Sequence, residues 1–224
     1  MPARAVLFDL DGTLLDSLAD IGESVNAVLE EQGFPAHDLS SYRAFVGDGM
    51  RSLVMRTLPA DRCDEQTIAS TLERLRRTYA SRAELRTRPY DGIPELLDEL
   101  ERRGIPVAIL SNKPDDLTRR LATSLLGRWK FRVVFGERPG VPRKPDPAGA
   151  MEIAALLGLA PAQVLYVGDT PTDLATARAA GMPAVAVAWG FRSRAELAAA
   201  GADRIAADPA EILRAVESSG PRCV

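Results

Sequence analysis

Two carboxylates and a turn residue follow one another in Asp9-Leu10-Asp11-Gly12-Thr13, straight after the apolar run Ala5 to Phe8. Carboxylates two residues apart face the same way only while the chain stays extended, and Gly12 permits a tight turn just beyond them. Taken alone, this segment reads better as a polar loop with an Asp-Gly turn. Three further polar clusters each follow an apolar run or precede a helical pattern: Ser111-Asn112-Lys113, Lys144-Pro145-Asp146-Pro147 and Gly168-Asp169-Thr170-Pro171-Thr172-Asp173. On one edge of a sheet they would gather carboxylates, a hydroxyl and one or two ammonium groups around a single cleft. Oxygen donors of that kind suit a hard ion such as Mg²⁺, which keeps several waters and takes one or two carboxylates plus substrate phosphate. Lysine and a serine hydroxyl suit a phosphate group.

The elements that must hold these clusters are legible as short apolar runs at Ala5 to Phe8, Val107 to Leu110, Val133 to Phe135, Val164 to Val167 and Ala184 to Ala188. Continuous apolar runs ended by turn formers are the pattern of strands buried on both faces. Helical patterns alternate with them: Ile93 to Arg103, stopped by Gly104; Pro114 to about Leu125; Ala148 to Leu157; and Pro171 to Ala180, stopped by Gly181. Strand and helix in alternation predict an α/β fold, a doubly wound, Rossmann-like parallel sheet with helices on both faces, and ligands then bind outside the carboxyl ends of the strands. The first crossover is far longer than usual. Within it Leu18, Ile21, Val25, Val28 and Leu29 share one helical face, and Ile68, Leu72, Leu75 and Tyr79 share another. Residues 17–84 are therefore expected to form an all-helical cap domain, inserted into a core made of residues 1–16 and 85–224. The segment Arg82 to Gly92 reads as the return linker.

Composition narrows the function. The 224 residues carry a net charge of -3, so nothing favours nucleic acid or an anionic membrane surface as a partner. No stretch reaches the roughly 18 consecutive apolar residues of a membrane span, and the N-terminal run lacks the basic region and long apolar core of a signal peptide. The expected location is the cytoplasm. Two cysteines, Cys63 and Cys223, are too far apart in sequence to suggest a disulfide framework. The single histidine, His37, excludes sites built on two histidines and makes a serine or cysteine triad implausible; it reads as a solvated loop residue. Only three of the 28 basic residues are lysines, and two of those, Lys113 and Lys144, fall in the polar clusters.

DLDGT, the SN dipeptide, the KPDP lysine and GDTPTD, in this order and spacing, resemble the four motifs of the haloacid dehalogenase superfamily of phosphohydrolases, and the helical insert resembles its first cap type. The resemblance implies Asp9 as a nucleophile that forms an aspartyl phosphate. A carboxylate already ionised at neutral pH needs no activating base, which agrees with the scarcity of histidine. It implies Asp11 as the acid for the leaving group and then the base for water. Ser111, Asn112 and Lys144 are implied as phosphate ligands. Mg²⁺ would be held by Asp9, the Asp11 carbonyl and Asp169, with Asp173 ordering its waters. Members that displace halide typically lack the second aspartate, so Asp11 favours phosphate esters.

The expected substrate contact in the cap is Phe45-Val46-Gly47-Asp48-Gly49-Met50-Arg51. Gly47 and Gly49 at a helix start, with Arg51 one turn in, suit a small anion; an inter-helix turn with a solvent-facing arginine is the competing reading. This segment, Asn112 to Pro114 and Trp189-Gly190-Phe191 resemble the bacterial phosphoglycolate phosphatases of the superfamily, although packing is the more common reading of aromatics such as Trp189 and Phe191. The implied substrate is a small phosphorylated metabolite such as 2-phosphoglycolate, handled by a monomer or homodimer. Alternatives left open are a phosphosugar mutase, a phosphatase for pyrophosphate, sugar phosphates or nucleotides, and a non-enzymatic phosphate-ester binding module.

Overall fold

In the computed structural model, which describes residues 2–218, the chain begins with β1 (Ala5–Phe8), whose four residues are all inaccessible to solvent. Next come β2 (Leu15–Asp16), α1 (Leu18–Glu31), α2 (Tyr42–Phe45), α3 (Met50–Thr57), α4 (Glu65–Arg82) and β3 (Arg88–Pro89). From α5 (Ile93–Arg102) onward, strand and helix alternate: β4 (Val107–Pro114), α6 (Asp115–Leu126), β5 (Phe131–Glu137), α7 (Ala148–Leu156), β6 (Val164–Gly168) and α8 (Pro171–Ala180). The described chain ends with β7 (Ala184–Val187), α9 (Arg194–Ala199), β8 (Ile205–Ala206) and α10 (Ala210–Ser218). Cys223 lies outside the described residues, and Cys63 is a free thiol.

Six strands form one sheet in the order β5-β4-β1-β6-β7-β8, every neighbouring pair parallel. This is the doubly wound arrangement, and the order reverses between β1 and β6, opening a crevice at their carboxyl ends. The two-residue period of a strand splits the core. Val6, Phe8, Ile109 and Val167 pack with Leu96, Leu121 and Ile212 on one face, whereas Leu7, Leu110 and Tyr166 pack with Ile153 and Ala177 on the other. Helices cover both sides, which is why the strands read as unbroken apolar runs. No helix of the described residues is long and apolar enough to cross a membrane.

Helices α1 to α4 occupy the long first crossover. Ile21, Val25 and Leu29 of α1 meet Ile68, Leu75 and Tyr79 of α4, and these side chains are continuous with the core on the Phe8 face of the sheet. His37 departs from its expected place in solvent: its Nε2 lies 2.8 Å from the Thr57 carbonyl oxygen, and its ring meets Tyr42 and Phe45 edge-on. A two-stranded antiparallel ribbon carries the chain out and back, with Leu15 opposite Pro89 and Asp16 opposite Arg88. One turn into α1, the buried Asp20 carboxylate fastens the returning segment. It accepts the Arg86 N–H at 3.0 Å, the Thr87 N–H at 2.8 Å and the Thr87 hydroxyl at 2.6 Å.

Removing this carboxylate leaves the Thr87 donors buried without a partner. Asp20→Ala should therefore cost roughly 2–4 kcal/mol of stability, seen in thermal melts as a drop of about 5–15 °C. An unchanged melting temperature would mean that the ribbon alone fastens the returning chain.

Candidate active site

Asp9 stands one residue beyond β1, at the crevice. Its Oδ1 accepts the Leu10 N–H at 2.7 Å and lies 2.9 Å from the Lys144 ammonium, and no protein donor among the described residues reaches Oδ2. Lys144 also donates to Asp173 Oδ1 at 2.7 Å. Asp173 is placed by the start of α8: Thr170 caps the helix by accepting the Asp173 N–H, and the Asp173 carboxylate accepts the Thr170 N–H and hydroxyl in return. Asp169 follows β6; its carboxylate accepts the Thr13 hydroxyl at 3.1 Å and the Phe191 N–H at 2.7 Å. Two glycines make room for it. Gly12, at φ 83°, and Gly190 could not carry a Cβ without bringing it to 2.4 Å and 2.3 Å, respectively, from Asp169 atoms.

Asp11 is held differently. Its Oδ1 accepts the Ser17 hydroxyl at 2.6 Å and the Lys113 ammonium at 2.8 Å, while Oδ2 has no partner among the described residues. Lys113 donates as well to the Tyr79 phenol oxygen at 2.5 Å, so a residue of α4 reaches into the polar centre. Ser111, Asn112 and Lys113 all lie within β4, which runs beyond the apolar stretch where the strand was expected to end. Ser111 lines the cleft, and its hydroxyl oxygen accepts the Lys113 N–H at 3.2 Å. Asn112 also lines the cleft, and its side-chain amide donates to the Gly47 and Lys144 carbonyl oxygens and accepts the Lys144 N–H. It braces the lysine loop and the helical insert.

The cleft encloses about 570 Å³, part of it open to solvent. Asp9, Asp11 and Ser111 line it, as do Gly47 and Gly49 and the apolar side chains of Ile21, Met50, Leu53 and Leu75. Arg51 is absent from its lining. It forms an exposed ion pair with Glu65 at 2.7 Å, so of the two readings of this turn the solvent-facing arginine is the one observed. The insert is fastened to the core beside the cleft: Arg43 donates to the Gly190 carbonyl at 2.8 Å, Arg192 to that of Val46 at 2.9 Å, and Thr172 to Asp48 at 2.8 Å. Trp189 and Phe191 are more than packing residues. The Trp189 indole N–H holds the Thr13 carbonyl, and the Phe191 backbone holds Asp169. Tyr79, Ser17 and Thr13 were not singled out for polar roles by the sequence. The one available signal was a phenol at the end of an otherwise apolar helix face.

Carboxylate oxygens of Asp9, Asp169 and Asp173 lie within 4.8 Å of one another, all buried, and among the described residues only Lys144 forms an ion pair with them. Burial pushes the Asp9 carboxyl up to about 7, with Lys144 pulling the other way and Asp173 adding to the rise. Burial, then Asp173 and Asp9, hold Asp169 well above the usual carboxylate range. Burial works against the Lys144 ammonium, but Asp173 and Asp9 outweigh it and raise it well above the ordinary lysine value. A cluster of hard oxygen donors with surplus negative charge is the donor set of a divalent cation such as Mg²⁺.

The strand order and an acidic, lysine-bearing centre at the switch point define an enzyme of the doubly wound α/β class. The sequence profile of the haloacid dehalogenase-like hydrolases matches residues 6–187, and the chain belongs to that family. It is 38% identical over 192 residues to a phosphoglycolate phosphatase of Xanthomonas campestris pv. campestris, covering 84% of this chain and 85% of the relative. A phosphoglycolate phosphatase of Pseudomonas savastanoi pv. phaseolicola is 37% identical over 193 residues, covering 84% and 70%. Among solved structures, a haloacid dehalogenase-like family hydrolase from Streptococcus pneumoniae superposes with a TM-score of 0.85 at 29% identity, covering 95% of this chain and 97% of the other. A protein of Lactobacillus delbrueckii subsp. bulgaricus superposes at 0.92 with 28% identity, covering 97% and 99%.

The charge surplus sets a pH dependence. A carboxyl with a raised folded-state pKa binds its proton more tightly folded than unfolded, so stability falls as pH rises from the unfolded value near 4 through the folded one. Metal-free protein should lose melting temperature between about pH 4 and pH 7, and Asp169→Asn should flatten that loss. At pH 8 the metal-free variant should melt at least about 2–4 °C above wild type and gain less from added Mg²⁺. A metal-free variant less stable than wild type at pH 8 would contradict the charge argument.

Proposed function

We propose that the protein is a Mg²⁺-dependent phosphomonoesterase working through an aspartyl phosphate on Asp9, with 2-phosphoglycolate or a similar small phosphate ester as substrate. One observation carries the reading: Asp9 is held through Oδ1 alone, leaving Oδ2 unpartnered in a cleft that also presents Ser111. The phosphatases among its relatives point the same way.

Asp9 Oδ2 attacks phosphorus, and the bond from phosphorus to the ester oxygen breaks. Asp11, anchored through Oδ1, delivers a proton from Oδ2 to the departing alkoxide. The same oxygen then takes a proton from the water that attacks the aspartyl phosphate, releasing inorganic phosphate and restoring both carboxyl groups. The Ser111 hydroxyl and the Lys144 N–H not taken by Asp9 or Asp173 hold the transferring phosphoryl oxygens, where fixed donors act on developing charge. Asp9, Asp169 and the Asp11 carbonyl would hold Mg²⁺, with Asp173 behind them; when bound, the ion supplies positive charge that draws the phosphate to the nucleophile. Residues 17–84 serve as the cap over a core of residues 1–16 and 85–224, excluding bulk water from the reaction.

With Mg²⁺ present, the wild type should release phosphate from 2-phosphoglycolate, and chelation should stop it reversibly. Asp9→Asn should lower turnover by roughly 1,000-fold or more while the protein stays folded by circular dichroism. Substantial residual turnover would remove Asp9 as the nucleophile.

A further inference from the structure

Among the described residues Lys113 is the one cationic side chain in the lining of the cleft, and its contacts within the protein do not use all of its donors. Its ammonium is buried and carries three N–H groups. One meets Asp11 Oδ1 at 2.8 Å and one the Tyr79 oxygen at 2.5 Å, with the Tyr79 ring centroid 4.6 Å from the nitrogen, while the third has no hydrogen-bond acceptor among the described residues. The rest of the lining around the organic part of an ester is chiefly apolar, and Arg51 is paired with Glu65 outside it. An unpaired donor on a buried cation is costly, and an anionic oxygen from the ligand relieves it best.

We propose that Lys113 is the specificity-determining residue, receiving a carboxylate on the organic part of the substrate and so selecting small phosphate esters that bear one. The inference rests on the phosphatase reading above. Asp9 and Lys113 line the same cleft together with Ile21, Met50, Leu53 and Leu75, and the proposal places the phosphorus of an ester at Asp9 and its organic end between those apolar walls and the ammonium. Asp11 and Tyr79 already fix the ammonium in place, so little ordering remains when the carboxylate arrives. An alkyl tail would leave the third N–H unpaired. A hydroxyl would pair it without the charge.

The test compares kcat/KM for 2-phosphoglycolate and for ethyl phosphate, which has a similar skeleton without the carboxylate. Wild type should prefer 2-phosphoglycolate, and Lys113→Met should cut that preference by about 30-fold or more. Loss of the Asp11 anchor lowers both rates and cancels in the ratio. Lys113→Arg keeps the charge and should keep most of the preference. A ratio unchanged in Lys113→Met, or a wild-type ratio near one, overturns the role of Lys113. Should Lys113→Met not fold, glycolate and ethanol on the wild type decide: glycolate should inhibit ethyl phosphate hydrolysis competitively where ethanol does not, and equal effects overturn the proposal. If wild type with Mg²⁺ hydrolyses neither ester, the phosphatase reading itself fails, an outcome distinct from equal turnover of both.

Discussion

Three buried carboxylates within 4.8 Å of one another, opposed by one lysine, are the constraint around which the core of this protein is arranged. Like charges at that distance repel strongly once water is removed. The surrounding chain supplies what holds them: the Leu10 N–H on Asp9, the Thr13 hydroxyl and Phe191 N–H on Asp169, and the Thr170 N–H and hydroxyl on Asp173. Glycines 12 and 190 leave the space that Asp169 fills. Burial of this kind has no value to stability. Clustered carboxyl groups with raised proton affinity are the pattern of a functional centre, not of a core built for stability.

The same bonds that hold the charges also start the elements. Asp173 is at once a member of the cluster and the third residue of the capping box that opens α8, so the helix cannot begin elsewhere without moving a carboxylate. Trp189 ties the loop after β7 to the Thr13 carbonyl, and Phe191 ties it to Asp169. Arg192 and Arg43 link that loop to the insert. The segment therefore connects the acidic centre to the helices above it, which accounts for two aromatic residues that look merely apolar in the sequence.

The core was legible because its signals are local. The apolar runs at Ala5, Val107, Val164 and Ala184 and the glycine stops at Gly104 and Gly181 each follow from burial on two faces or from left-handed backbone. Strand β8 and the ribbon of β2 and β3 have two residues each, too few to show any period. Side-chain partners across the chain were the less legible part. Gly49 does precede a helix as expected, but Arg51 pairs with Glu65 at the start of α4, a choice made by how the two helices meet. Asn112 sits in the expected motif yet serves the backbone of Lys144 and Gly47. Spacing identifies which residues share an edge; it does not say which neighbour each one takes.

Ser111, Asn112 and Lys113 show why the helical insert cannot be treated as separable from the chemistry. Three consecutive residues of β4 are turned to three tasks: the serine lines the cleft, the asparagine joins the lysine loop to Gly47, and the lysine joins Asp11 to Tyr79. Two of the three thus end on the insert. The insert also leaves the core just behind Asp11, and Ser17, on its outgoing path, holds the same Asp11 oxygen as Lys113. Any shift of the insert relative to the sheet must therefore be felt at Asp11 from two sides, through Ser17 and through the Tyr79–Lys113 contact. Asp9 is tied to the insert less directly: its Oδ1 partners, Leu10 and Lys144, both belong to the core, and the insert is reached from the Lys144 backbone through Asn112 and Gly47. The fold thus distinguishes Asp9, whose direct partners lie in the sheet layer, from Asp11, which is held in part by a side chain of the helical insert.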